Sequence, residues 1–167
     1  EAADELAAAA AAEGIRLHWV TDADSREALA GLVADGDRLQ WSQPAWRREL
    51  AAWMRPRRRG DGLGLPAAVA PLARLAVTRL DLGRRMAPRD ADLARHAPLL
   101  GVLATGADTP DDWLAAGQGL QRVLLAACRH GLQAGYLNQP AQVAYLRPRL
   151  GELGREPRGG GAAHRDP

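Results

Sequence analysis

The sequence predicts an α+β fold, in which helices pack with a few short strands. Apolar or small residues recur with helical spacing over five turns between residues 109 and 130. Residues 15–20 alternate apolar and polar side chains, which is typical of a strand. Residues 98–105 form a short apolar run bounded by Pro and Gly, and this pattern indicates a fully buried strand. Helical and strand signals therefore occur in one chain, at separate positions.

Three helices are predicted before residue 55. Residues 2–13 are rich in Ala and end at Gly14, and Thr21, Asp22 and Asp24 can cap a second helix that runs to about residue 39. Residues 41–54 continue as a third helix with Pro44 in its first turn. One face of that helix carries Trp46, Leu50, Trp53 and Met54. Such a stripe indicates a core or a subunit contact more often than a cofactor site.

The middle of the chain is less regular. Residues 55–64 contain Pro, Gly and four Arg, and a solvated loop is the favoured interpretation, with a phosphate contact as the alternative. Residues 65–82 predict a broken series of short helices around Pro66 and Pro71. Residues 83–96 predict a charged loop that leads into a short helix. No phosphate-binding Gly-rich motif occurs in this part of the chain.

The helix over residues 109–130 has the clearest boundaries. Thr109 can cap it, Pro110 suits its first position, and Gly131 can end it in the left-handed conformation. We expect it to be the most buried element. The side chains predicted to face the sheet are Trp113, Leu120, Leu124 and Ala127. The single Cys128 lies on the same apolar face, so a buried structural thiol is the favoured interpretation.

The C-terminal part predicts a strand over residues 133–137, a turn at Pro140 and a final short helix over residues 143–153. Residues 154–167 are hydrophilic and rich in Gly, and they are expected to form a disordered tail. The predicted domain therefore covers residues 1–153.

Composition excludes several classes of function. The 22 basic residues are all Arg and are interspersed with 20 acidic ones, so a nucleic-acid footprint is not expected. No apolar run reaches the ~18 residues of a membrane span, and one Cys suits a reducing cytoplasm. The four His have no metal-ligand spacing, and no self-sufficient catalytic constellation is found. Catalytic and metal-binding residues are therefore both predicted as none.

The run over residues 109–140 resembles the C-terminal core of the nitroreductase superfamily, and more closely its Acg-like FMN-binding members. The residues that carry the resemblance are Trp113, Ala116, Gly117, Leu120, Arg122, Leu124, Leu125, Ala127, Gly131, Leu132, Leu137, Asn138, Gln139 and Pro140. Weaker similarity reaches from about residue 14 to about residue 153. The resemblance implies a nitroreductase-like antiparallel sheet covered by helices, incomplete in this chain.

The resemblance also implies a flavoprotein function in which hydride passes from NAD(P)H to FMN and then to a nitro or quinone-like acceptor. The implied flavin-binding residues are Tyr136, Leu137, Asn138 and Gln139. A simple turn is an equal alternative for Asn138–Pro140.

Both phosphate-binding elements of the family are missing, because residues 1–14 contain no Arg and residues 154–167 replace the closing apolar strand. The alternative is therefore a non-catalytic or flavin-sequestering half-domain that binds FMN only with a partner half, or within a dimer. The residues leave open whether the isolated chain is active. An unrelated helical interaction module is a third alternative.

Overall fold

The computed structural model describes residues 1–56 and 63–154. These residues mix helix with short strands, so the α+β class is confirmed at this level. The elements in chain order are α1 (Ala2–Ala11), β1 (Arg16–Trp19), α2 (Ala23–Ser42), α3 (Pro44–Trp53), β2 (Met54–Pro56), β3 (Leu63–Leu65), α4 (Ala70–Arg79), α5 (Gly83–His96), β4 (Gly101–Ala104), α6 (Pro110–Arg129), α7 (Gln139–Gln142) and α8 (Arg147–Leu153).

Two strands that the sequence predicts pair with each other. β1 and β4 are antiparallel, with Leu17 opposite Leu103 and Trp19 opposite Gly101. A Cβ atom at Gly101 would lie 2.8 Å from the Leu17 side chain, so glycine allows the close approach there. The expectation that the second strand is fully buried is wrong, because Gly101 is exposed and the rest of β4 is only half-buried. A ribbon of two strands leaves much of its surface uncovered. β2 and β3 form a separate parallel pair.

The α2–α5 pair forms the centre of the fold. The prediction for residues 83–96 is wrong, because these residues form one helix rather than a loop with a short helix. The alanines at 87, 91 and 94 follow helical spacing and pack against alanines 30 and 34 of α2. Small side chains let the two helices approach closely. The charged residues between these alanines obscured the helical pattern in the sequence.

Side-chain contacts of two arginines also hold α2 and α5 together. Arg95 donates from Nε and Nη2 to the two carboxylate oxygens of Glu27, each at 2.7 Å. Arg26 donates to the carbonyl oxygens of Ala94 and Ala97, at 3.0 and 2.8 Å, and thereby caps the end of α5. Asp22 accepts from the Ser25 amide at 2.8 Å, which confirms the predicted cap of α2.

α3 and α4 pack together around Trp41. Trp46, Leu50 and Met54 contact the cluster of Trp41, Ala51 and Val77, so the predicted apolar face of α3 is largely confirmed. Trp53 departs from that prediction, since it is 54% exposed. The prediction of several short helices over residues 65–82 is also wrong, because Pro71 lies in the first turn of the single helix α4, where proline is tolerated.

α6 begins and ends as predicted, with a Thr109–Asp112 capping box and a left-handed Gly131 at φ 69°. Its burial differs from the prediction. Three of its 20 residues are buried, against nine of the 20 in α2, so α2 is the more buried helix. Trp113 is 61% exposed, and Cys128 is exposed rather than buried.

The buried face of α6 is a different one. Gly119, Ala126 and Ala127 point inward, and a Cβ atom at Gly119 would lie 2.9 Å from the Ile15 side chain. Leu120 and Leu124 are only half-buried at the edge of this face. The four leucines of α6 lie within an arc of about 140° that is turned away from the centre of the buried face. The largest side chains therefore indicate the wrong face, and the smallest side chains mark the contact with α1.

The C-terminal part is less regular than predicted. Residues 133–137 are not a strand, Pro140 lies in the short helix α7 instead of a turn, and the final helix α8 begins at Arg147 instead of residue 143. Val143 and Leu146, which lie between these helices, pack against Leu32 of α2 and fasten the segment to the centre of the fold. Gly154 is buried. The rest of the predicted tail, residues 155–167, and most of the Arg-rich loop, residues 57–62, lie outside the described residues.

Candidate functional site

The four residues predicted to contact flavin lie in three different environments. Tyr136 is 55% exposed, and Leu137 is half-buried against the alanine cluster of α2 and α5. Asn138 is exposed, and its carbonyl oxygen accepts from the amides of Ala141 and Gln142 at the start of α7. Gln139 points its side chain into the protein. The structure therefore places these four residues side by side in the chain but directs them to different surroundings.

Gln139 joins two acidic side chains from different helices. Its Nε2 donates to Oδ1 of Asp37 on α2 at 3.2 Å and to Oδ2 of Asp90 on α5 at 3.1 Å. Close beside it, Gln40 Nε2 donates to Gln142 Oε1 at 2.6 Å. The two ends of α7 are thus held to α2 and α5 by three side-chain hydrogen bonds.

The acidic pair changes the protonation of Asp37. Burial, and after it the charge of the neighbouring Asp90, together raise the pKa of Asp37 from 3.8 to about 6. Asp37 is 3% exposed, and its Oδ2 has no hydrogen-bond partner, as is also true of Gln139 Oε1. A carboxyl group in this position can hold a proton near neutral pH.

Sequence reasoning missed this cluster, although one signal was available. Asp37 and Gln40 continue the buried face of α2 that includes Leu29 and Val33, at helical spacing. Polar residues on a buried face need partners elsewhere in the fold. At 3% exposure the Asp37 carboxyl is out of reach of a solvent-borne substrate, so the cluster fastens α7 and does not form a reaction site.

Gly36 makes the approach of α7 possible. A Cβ atom at this position would lie 2.7 Å from the Cβ of Gln139 and 3.0 Å from its carbonyl carbon. We expect Gly36→Ala to lower the free energy of unfolding by about 1–2 kcal/mol, because the overpacking cost exceeds the helix propensity gained by alanine. A urea titration followed by Trp fluorescence measures the change.

Gly31→Ala is the matched control, because Gly31 lies in the same helix with no atom within 4 Å of the added Cβ. It is expected to stabilise by up to about 1 kcal/mol. If the two substitutions change the free energy of unfolding equally, α7 is not in close contact with α2 at Gly36.

Residues 133–137 expose unpaired backbone. These residues are solvent-exposed except Leu137, and within the described ranges their amides donate to no protein acceptor. The segment follows directly on α6, whose last turn and Gly131 set its starting direction. Backbone amides in such a position are free to donate to a ligand or to another chain.

A shallow groove lies along the solvent side of α6. It is lined by Glu13, Trp113, Leu114, Gly117, Gln118, Gln121, Arg122 and Leu125. Arg122 forms an ion pair with Glu13 at one rim. The apolar floor makes this groove a surface for an apolar partner rather than an enclosed site for a small molecule.

Neither a metal site nor a membrane-spanning helix is found among the described residues. In residues 1–56 and 63–154, no group of three or more His, Cys, Asp or Glu side chains is arranged to hold a metal ion. Within the same ranges no helix combines the length and the apolar character needed to cross a membrane.

Comparisons with protein-family models, with curated proteins and with solved structures gave no match to this chain.

Proposed function

We propose that the chain is one half of an FMN-dependent oxidoreductase of the nitroreductase type, and that it binds FMN only together with a partner half. The observation that supports this proposal most directly is the exposed segment over residues 133–137, whose amides are unpaired within the described part of the chain. This segment and the adjoining Asn138 are the region that, by resemblance, lies against the flavin ring.

The residues suit the ring of the cofactor better than its phosphate. The backbone amides of Tyr136, Leu137 and Asn138, which donate to no acceptor among the described residues, can donate to the polar edge of a flavin ring. The Gln139 side chain is already engaged with Asp37 and Asp90, so it is the least suited of the four predicted residues. When bound, the flavin supplies the hydride chemistry, and the chain would supply donors and orientation.

The phosphate of FMN requires a second source of positive charge. It carries close to two negative charges and is normally held by Arg side chains or by several amides. α1 contains no Arg, and the closing Arg-bearing strand of the family has no counterpart in the sequence. A partner half that supplies these contacts would complete the binding site, and NAD(P)H would then reduce the bound flavin.

The isolated chain is therefore expected to bind FMN weakly. Each missing charged hydrogen bond costs about 1.5–3 kcal/mol, so the loss of two moves a micromolar affinity to a dissociation constant above about 100 μM. Isothermal calorimetry measures the affinity, and a ¹⁵N–¹H spectrum recorded during titration with millimolar FMN locates the contact. The expected shifts are in the amides of residues 133–138.

A pair of variants separates the backbone contact from the side chain. Asn138 has φ −83°, which proline tolerates, so Asn138→Pro removes the amide hydrogen without requiring a new φ at that residue. Asn138→Ala removes the side chain and keeps the amide. We expect only the proline variant to weaken binding further.

Two results would count against the proposal. A dissociation constant near or below one micromolar for the isolated chain would make this chain itself the oxidoreductase. Amide shifts confined to other regions, or none at millimolar FMN, would remove the case for a flavin function.

A further inference from the structure

The outer face of α6 is an apolar stripe on the side opposite α1. We define it by the exposed residues Leu114, Gly117, Gln121, Leu125 and Cys128. At 100° per residue these five positions lie within about 40° of one line along the helix. Leu114 is 64% exposed and Leu125 is 59% exposed. Leucines at such spacing are typical of a face that packs against another helix.

We propose that two copies of the chain associate through the outer face of α6, with the two helices antiparallel about a twofold axis at Gln121. Association through this face does not depend on flavin binding. A charge pattern and a steric match support it independently of each other.

The charges at the two ends of α6 favour an antiparallel orientation, and Arg122, which lies on the same flank beside the axis, is already neutralised by its ion pair with Glu13. Asp111 and Arg129 are both exposed and lie 18 residues apart, which is five helical turns, so they occupy the same flank of the outer face. In an antiparallel pair about Gln121 each flank meets the same flank of the other copy, and Asp111 of one copy then lies about 3 Å along the axis from the level of Arg129 of the other, within reach of an Arg side chain. In a parallel pair each flank would meet the opposite flank of the other copy, which carries no charged residue, so neither Asp–Arg contact would form.

Arg129 is available for this contact. Its Nη2 is 3.9 Å from Glu5 Oε2, and its side chain is 77% exposed. An ion pair of that length and exposure contributes little to stability, so the guanidinium can turn toward a second copy at low cost.

The steric match places the axis at Gln121. Gly117 precedes Gln121 by four residues and Leu125 follows it by four, so an axis at Gln121 sets Leu125 of one copy over Gly117 of the other. A Cβ atom at Gly117 would meet no atom within 4 Å, so the surface there is open. Leu114 and Cys128 face each other in the same way, each seven residues from the axis. Large side chains thus oppose small ones at both levels.

The first test is the mass in solution. Because one helix pair about 30 Å long is a small interface, we expect association with a dissociation constant in the micromolar range. Sedimentation equilibrium from about 1 to 500 μM should show the mass rising from 17.8 kDa toward twice that value. A monomer throughout this range would overturn the proposal.

Two substitutions test which face is used. Gly117→Leu fills the position that receives Leu125, and it should abolish association without unfolding the chain, because nothing surrounds the added side chain in a single copy. Leu72→Glu is the control, since Leu72 is 69% exposed on the separate helix α4 and should leave association unchanged. Circular dichroism confirms that both variants are folded. Loss of association with Leu72→Glu but not with Gly117→Leu would contradict the assignment.

Disulfide formation tests the orientation. In the antiparallel pair the two copies of Cys128 lie about 21 Å apart along the axis, so mild oxidation should leave the natural chain uncrosslinked. Leu114→Cys should form an intermolecular disulfide with Cys128, and Gln121→Cys combined with Cys128→Ser should crosslink at the axis. Rapid crosslinking of the natural chain through Cys128 would instead indicate a parallel pair and overturn the proposal.

Discussion

Leu146→Ala is expected to lower the free energy of unfolding by about 2–5 kcal/mol. Leu146 is fully buried and packs against Leu32 and Val143, so removal of its side chain leaves a cavity between α2 and the C-terminal segment. A urea titration followed by Trp fluorescence at a single pH measures the loss. Because neither neighbour can move far without disturbing α2, we expect little relaxation around the cavity.

The control for this prediction is Leu72→Ala. Leu72 is 69% exposed, and exposed apolar side chains contribute little, so a change within about 0.5 kcal/mol is expected. A loss below about 1 kcal/mol for Leu146→Ala would mean that the segment after α6 is not packed on α2 as described.

Asp37→Asn is expected to stabilise the chain at pH 8 and to have little effect near pH 4. The pKa of Asp37 is raised by burial and by Asp90 from 3.8 to about 6. Between those two values the folded chain holds a proton that the unfolded chain has released, so stability falls as the pH rises through this window. At about 1.4 kcal/mol per pKa unit, the loss is complete above pH 6 and amounts to about 3 kcal/mol.

Asparagine removes the charge and retains an oxygen that accepts from Gln139. Urea titrations from pH 4 to pH 8 should therefore show a variant whose stability changes less with pH than that of the natural chain. Asp35→Asn is the matched control, because Asp35 lies on the same helix in an exposed ion pair with Arg38 at 2.7 Å. A difference in the free energy of unfolding between Asp37→Asn and the natural chain that stays constant from pH 4 to pH 8 would contradict the environment assigned to Asp37.

Features that are determined by residues close together in the sequence were predictable from it. The caps at Asp22 and Thr109 and the left-handed Gly131 are local, and all three are confirmed. The strand predicted over residues 133–137 is wrong because a strand needs a partner that the local pattern does not provide. The buried face of α6 was also missed, since it is marked by Gly119 and two alanines and not by the largest side chains.

The acidic cluster was beyond local reasoning for a related reason. Gln139 meets Asp37 across 102 residues of sequence and Asp90 across 49. Only the packing of α7 on two helices brings these groups together. The predicted flavin contacts at Tyr136, Leu137, Asn138 and Gln139 stay predictions that the FMN titration can test.

Because the apolar interior is divided into small clusters, parts of the chain can unfold separately. α2 contributes to three of the four clusters, through Ala30, Leu32 and Trp41. The fourth cluster, around Leu6, Ala126 and Ala127, contains no residue of α2. Regions that share few apolar contacts exchange their amide hydrogens in separate steps. The unit of α1, β1, β4 and α6 can therefore unfold locally while α2 stays folded. A second copy bound to α6 would slow amide hydrogen exchange in this unit before it affects the rest of the chain.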